Sequence, residues 1–230
     1  LGAGVGGYQL FDVIRIRVNA WVNPWLDPSG RSYQIVQSLI SIASGGVFGS
    51  GPGMGSPGVV PVAHSDFIFT ALAEETGLIG TTGLLIAIAL LSIRGMRAAL
   101  YAPNTYQRYL AAGISGYLAA QAVLIIGGNL RLLPLTGVTL PFLSYGGSSL
   151  LTAFASLLVL TLISNTAERE PAPLPDRRPY LVVSAFLLAG LLAVALVNAW
   201  WGIVRADDLI TRADNPRPFI TDRYVMRGTL

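Results

Sequence analysis

The sequence predicts an all-α polytopic membrane protein with about four transmembrane helices, a large extracytoplasmic loop and a re-entrant or broken segment. Three observations predict it. The 230-residue chain is 53% hydrophobic and only 12% charged, where a soluble domain carries about twice that charge. Four apolar stretches come near or exceed the roughly 20 residues that cross a bilayer. Between the second and third of them, prolines and glycines interrupt otherwise apolar sequence.

Composition also excludes function classes. Cysteine is absent, which removes disulfides, thiolate catalysis and Cys-ligated metals. The single histidine, His64, cannot build a multi-His metal site. Net charge is +3, but no basic stripe with interleaved aromatics is present, so nucleic acid is not an expected partner. No signal-peptide pattern opens the chain. It starts inside the apolar run Leu1-Gly2-Ala3-Gly4-Val5-Gly6-Gly7 and stops at Arg227-Gly228-Thr229-Leu230 without an end signal. It reads as a fragment that lacks both termini.

Taken in order, the outer loop Asn23 to Ser65 has two parts. Arg31 to Ile42 is amphipathic and predicts a helix lying at the membrane interface. Gly45 to Gly58 is too rich in glycine for a stable helix or strand. It reads as a flexible connector or as backbone that approaches a phosphate-bearing ligand through its N–H groups. The first span covers Phe67 to Ser92. The second covers Tyr109 to Gly128, with Ala112, Gly116 and Ala120 forming a small-residue face for close helix approach. The third covers Gly146 to Ser164. The fourth covers Leu181 to Trp201 and ends in an interfacial anchor, Trp200-Trp201. Between the last two spans, residues 167–179 read AEREPAPLPDRRP, a Pro-rich charged linker and the clearest domain boundary.

Arginine placement sets the orientation. Arg94, Arg97 and Arg108 follow the first span, and Arg169, Arg177 and Arg178 lie in the linker, so both regions are cytoplasmic. Residues up to Asp66, the loop near Arg131 to Tyr145, and the tail after Arg205 are then outside. Arg15, Arg17 and Arg31 fall on that outer side against the rule, diluted in a longer loop.

Two constellations carry chemistry. In the first, Asp66 stands where the outer loop becomes the first span, with Glu74 and Glu75 behind it. A carboxylate in hydrocarbon costs on the order of 3 kcal/mol, so such residues face a cavity or a partner. Asp66, or Ser65, also fits a plain helix cap. On a continuous helix Glu74 lies about 12 Å along the axis from Asp66 and Glu75 points to the opposite side. Glu75 reads as half of a buried structural pair, with Arg15, Arg17, Arg131 and Gln121 as possible partners. In the second constellation, Leu132 to Ser149 sets Pro134, Pro141, Gly146 and Gly147 into apolar sequence. Broken backbone at membrane depth must be buried in protein or line a wet cavity. Thr136, Ser144, Tyr145, Ser148 and Ser149 would bring hydroxyls there, or satisfy themselves within a tight re-entrant turn.

These residues resemble the FtsW/RodA/SpoVE (SEDS) family. The resembling pieces are Tyr33-Gln34 with Gln37-Ser38, Ser44 to Gly49, His64 to Phe69 with Ala73 to Gly77, and Leu133 to Ser149. Residues 1–166 would then hold the outer loop and the last three spans of such a membrane domain. Four departures stand out: Val62 follows Pro61 where the family often has Glu, the glycine-rich loop is short and has no lysine, Ile125 replaces a common asparagine, and Arg131 replaces a usual glycine. The tail, Arg212-Ala213-Asp214-Asn215-Pro216-Arg217 and Arg223 to Arg227-Gly228, resembles the start of a class B penicillin-binding protein. Residues 180–230 would be its membrane anchor and first extracytoplasmic residues, fused in cis through the linker.

The resemblance implies a multi-pass enzyme of the bacterial cytoplasmic membrane. It would polymerise peptidoglycan glycan strands from lipid II on the outer face, in elongation, division or sporulation. Asp66 would be the base of an inverting glycosyl transfer. Gln34, Gln37, His64, Ser65, Glu74, Arg131, Thr136, Ser144, Tyr145 and Ser148 are the candidate substrate-binding residues. Glu75, Pro134, Pro141, Gly146 and Gly147 are the candidate structural ones. No cofactor is assigned, a divalent cation is a possible aid, and its ligands are open. A lipid-precursor flippase or transporter, and a non-catalytic scaffold for a transpeptidase, are the rival classes.

Overall fold

The computed structural model describes residues 12–169 and 176–218. The opening glycine run, most of the linker's proline-rich centre and the Arg223 to Gly228 match lie outside the described residues. Among the described residues every regular element is helical. Helices α1 (Asp12–Val22) and α2 (Tyr33–Gly45) precede the spans. Four apolar helices follow: α3 (Ile68–Tyr101), α4 (Thr105–Asn129), α5 (Gly147–Arg169) and α6 (Arg178–Ala199). Each is long and apolar enough to cross a membrane. A π turn, Trp200–Val204, extends α6, and the short α7 (Ala206–Ile210) closes the described tail.

Helix α3 runs past the expected end at Ser92 because no breaker occurs before Pro103, which disfavours helix at Ala102. Arg94 and Arg97 therefore sit on its last turns. Asn104 caps α4, its side-chain oxygen accepting the Gln107 N–H at 2.9 Å. The two helices pack through Gly95, whose missing side chain leaves room for Ser115. The most buried face of α4 is Ala111, Ser115, Leu118, Ala119 and Ala122, and Ala112 and Ala120 of the expected small-residue face pack beside it against Met96 and Leu187.

The central feature is a break in α3. Gly77 has φ +64°, so Ile68 to Thr76 is a half-helix set off from the long span below it. The glycine-rich loop enters this break. Ser50 and Gly51 donate their N–H groups to the carbonyls of Glu74 and Glu75 (2.9 and 3.0 Å), while Leu78 and Ile79 donate to Gly46 and Val47 (2.9 and 3.2 Å). Every orphaned backbone group named here thus finds protein rather than water. A Cβ on Gly77 would strike the Gly49 nitrogen, and one on Gly49 would strike the Glu75 carbonyl. The Ser50 and Gly51 amides are therefore spent inside the fold, which corrects their expected use on a phosphate.

Helix α2 also departs from expectation. Ile35 to Ala43 is buried throughout, so α2 is an internal helix rather than one lying on the interface. Its polar residues have protein partners: Ser38 Oγ bonds Thr70 Oγ1 (2.7 Å) and the Asn129 carbonyl (2.9 Å). Helix α6 packs directly on the bundle. Its Leu191 and Val194 share one cluster with Leu85 and Ile88 of α3 and with Ile125 and Ile126 of α4. Asn198 Nδ2 donates to Thr81 Oγ1 at 2.8 Å in the same buried region. The tryptophan pair is split: Trp200 is half-exposed, but Trp201 turns inward and donates its ring N–H to the Leu130 carbonyl at 2.9 Å.

Candidate functional site

Asp66 lies in the turn before α3, one residue ahead of the N-cap, Phe67, and that cap makes no side-chain bond. Its carboxylate is therefore not used to cap the helix. Two clips fix its backbone. Ser144 Oγ donates to the Ser65 carbonyl at 2.7 Å and accepts the Leu140 N–H at 2.7 Å. Tyr145 N–H donates to the His64 carbonyl at 2.9 Å. Both clips come from the proline- and glycine-broken segment between α4 and α5, which is how that segment serves the site. Ser65 Oγ donates to Asp66 Oδ1 at 3.2 Å, and the buried Phe67 ring anchors the next position.

The carboxylate opens onto a cleft of about 190 Å³. Arg17, Arg31, Gln34 and Thr136 share its lining with the apolar Ile35, Phe67, Ile125 and Leu135. Arg17 comes from α1 and is steadied by a 3.2 Å bond to the Leu135 carbonyl. Arg31 precedes α2, its own N–H bound to Asp27 Oδ2 at 3.0 Å. Two arginines and one aspartate thus line one hollow. Such a set can bind an anion through charge-assisted, bidentate contacts and accept a proton beside it. Among the described residues no group of three or more His, Cys, Asp or Glu is gathered to hold a metal ion.

The other expected residues divide by location. Gln34 and Thr136 line this cleft. Glu74 does not reach it: it is buried in a bidentate pair with Arg217 from the tail. Gln37 is buried too, its amide shared between the Asp214 carbonyl (2.8 Å) and Arg217 (3.1 Å). The two neighbouring glutamates therefore differ in surroundings. Glu74 is the buried structural acid, and Glu75 is half-exposed in an apolar groove with His64 on the other side of the half-helix. Three of the partners named from sequence for Glu75 bond elsewhere. Gln121 donates to the Thr139 carbonyl (2.8 Å), Arg17 to that of Leu135, and Arg131 to those of Trp21 and Val22 (2.9 and 2.7 Å).

Arg131 keeps φ +60° where a side chain is strained, and burial lowers the pKa of its guanidinium. It ties α1 to the broken segment and does not line the Asp66 cleft. Ser144 is buried in its clip, and the exposed Tyr145 ring meets His64 edge-on at 5.8 Å. Ser148 lines a separate hollow with Gln121, Thr139 and Thr152. Pro141 is buried at the turn before Ser144, Pro134 is half-buried, and Gly146 and Gly147 lead into α5. Sequence reasoning missed Arg17 and Arg31 as site residues. Their signal was present: the expected orientation left both arginines on the side that the positive-inside rule disfavours. It missed Arg217 altogether, because nothing local marks a partner 143 positions away from Glu74.

Comparison with known proteins agrees with this architecture. The profile of the FtsW/RodA/SpoVE family, described as "Cell cycle protein", matches residues 7–169. The chain is 48% identical over 162 residues to peptidoglycan glycosyltransferase RodA of Mycobacterium tuberculosis, covering 70% of this chain and 34% of the relative. It is 44% identical over 165 residues to stage V sporulation protein E of Bacillus subtilis, covering 70% and 45%. It is 40% identical over 162 residues to probable peptidoglycan glycosyltransferase FtsW of Geobacter metallireducens, covering 70% and 43%. The chain thus spans between a third and a half of the length of these relatives. With the match covering most of its length and four membrane-length helices beneath the site, the chain is a multi-pass membrane protein that belongs to the FtsW/RodA/SpoVE family.

Proposed function

We propose that the complete protein polymerises peptidoglycan glycan strands from lipid II on the outer face of the cytoplasmic membrane, with Asp66 as the base. The observation that carries this reading is the Asp66 carboxylate beside Arg17 and Arg31 in one cleft at the head of an apolar helix. Relatives named as peptidoglycan glycosyltransferases support the reaction class.

The transfer joins a sugar hydroxyl to an anomeric carbon that loses pyrophosphate. Asp66 takes the proton of the acceptor hydroxyl, which contributes roughly 10²–10⁴-fold. The hydroxyl oxygen attacks the donor carbon from the side opposite the leaving group, so configuration inverts. Pyrophosphate departs as an anion and is stabilised by preorganised cations; Arg17 and Arg31 are placed for this. Asp66 is the carboxylate this cleft would offer a divalent ion, which would supply added charge neutralisation. The tail after α6 carries the resemblance to a penicillin-binding protein, and a transpeptidase module in cis would cross-link the new strands.

The test is Asp66→Asn in the full-length protein, purified in lipid and given labelled lipid II. Loss of glycan chains in a folded variant is the expected outcome. Chains made at the parental rate would refute the base assignment. In the parent protein, translocation of lipid II without chains would instead make it a flippase, and neither activity would make it a scaffold.

A further inference from the structure

The family match ends at residue 169, yet the buried carboxylate of Glu74 finds its counter-ion at Arg217. Arg217 Nε donates to Glu74 Oε1 at 3.0 Å and Nη2 donates to Oε2 at 3.2 Å. The same guanidinium reaches Gln37 Oε1 at 3.1 Å and the Ser41 hydroxyl. The two ionised side chains are 9% and 5% exposed, so each is nearly removed from solvent. The tail is held in register by Gln37 Nε2 on the Asp214 carbonyl and by Arg212 stacked 4.1 Å over Trp25.

Glu74 also serves as a node. Its Oε1 accepts the Ser56 N–H at 3.0 Å, and its carbonyl accepts both the N–H and the hydroxyl of Ser50. The glycine-rich loop, α2 and the tail therefore meet on one residue. That residue lies near the lower end of the half-helix Ile68 to Thr76, just above the Gly77 break. Asp66 stands just before the upper end, held by the Ser144 and Tyr145 clips. The half-helix is thus pinned at both ends, and only the lower pin requires a group from outside the family domain. Removing one partner of a buried pair leaves an uncompensated charge, which the surrounding structure must relieve by moving.

We propose that Arg217 is a positioning residue for the Asp66 site, delivered by the segment beyond the fourth span. By neutralising Glu74 it fixes the half-helix and the glycine loop, so the family domain of this chain is completed by its own tail. This rests on the reading of Asp66 as the transfer base, and the test separates the two.

In the full-length protein, Arg217→Gln, Arg217→Lys and the double variant Glu74→Gln/Arg217→Gln are compared with the parent and with Asp66→Asn. Hydrogen exchange at the Ser50, Gly51 and Ser56 amides reads the clasp without substrate. Labelled lipid II reads synthesis. Arg217→Gln is expected to speed exchange at these amides and to lower kcat by roughly 10- to 100-fold with little change in KM. Arg217→Lys keeps the charge but loses the fork, and falls between. The double variant removes the stranded charge and regains protection and part of the rate. Unchanged exchange in Arg217→Gln overturns the clasp. Faster exchange with parental kcat overturns its service to the Asp66 site. An active Asp66→Asn with parental exchange would remove the base assignment while leaving the clasp standing.

Discussion

Arg17 and Arg31 share the cleft with Asp66, and each is exposed, so both can offer donors to a ligand's anionic oxygens, Arg17 while held to the Leu135 carbonyl. A charge-assisted bond is worth about 1.5–3 kcal/mol, so Arg31→Gln is expected to lower kcat/KM for lipid II by roughly tenfold or more. The loss should lie mainly in KM if Arg31 binds ground and transition states alike, and in kcat if it meets only the leaving charge. Steady-state synthesis at several lipid II concentrations separates these. Arg131 poses a different balance. A glycine there would relieve about 1–2 kcal/mol of left-handed strain. It would also delete two bonds from a cation to the last carbonyls of α1. At about 1.5–3 kcal/mol each for bonds from a charged donor, the bonds win. Arg131→Gly should therefore loosen α1, seen as faster hydrogen exchange over residues 17–22.

At the scale of elements, the decisive object is the joint between the glycine loop and the broken α3. Gly77→Ala would put a Cβ against the Gly49 nitrogen and the Val47 carbonyl in a backbone conformation that L residues avoid. The expected cost is about 1–3 kcal/mol of strain plus the displaced loop bonds. A lower unfolding midpoint in detergent and loss of protection at Leu78 and Ile79 would report it. An unchanged midpoint would mean that α3 can run straight through. The four spans were legible in the sequence because apolar length is a local property. The break at Gly77 was not: Glu74-Glu75-Thr76-Gly77-Leu78 reads as uninterrupted helix unless the inserting loop is known. For the same reason α2 read as amphipathic. Its polar face is real, but Gln37, Ser38 and Ser41 turn toward protein groups rather than water.

At the scale of the molecule, the linker between α5 and α6 divides the sequence but not the packing. Leu191 and Val194 of α6 are buried against α3 and α4, and Leu209 of α7 is buried against Ile35, Val36 and Leu39 of α2. In lipid this association rests on close packing and on bonds such as Asn198 to Thr81, since the tails of lipids are as apolar as leucine. A chain cut at a protease site placed within residues 170–175 should therefore stay together. Co-elution of the two fragments from a sizing column in mild detergent is the expected result. Separate elution would reduce α6 to a tethered helix.

By itself the sequence determined the membrane class, the spans and the position of Asp66 at the N-terminal edge of one of them, because hydropathy and charge placement act residue by residue. It also exposed the family pattern, and with it the broken segment before α5. Tertiary structure alone decided which acid faces a hollow and which is sealed. Glu74 and Glu75 are neighbours with the same chemistry, and only the arrival of Arg217 from the far end of the chain distinguishes them. Tertiary structure likewise gathered Arg17 and Arg31 beside Asp66. The physical reason is common to both cases: a charge is positioned by the partners and solvent around it, and those are set by packing across long sequence separations.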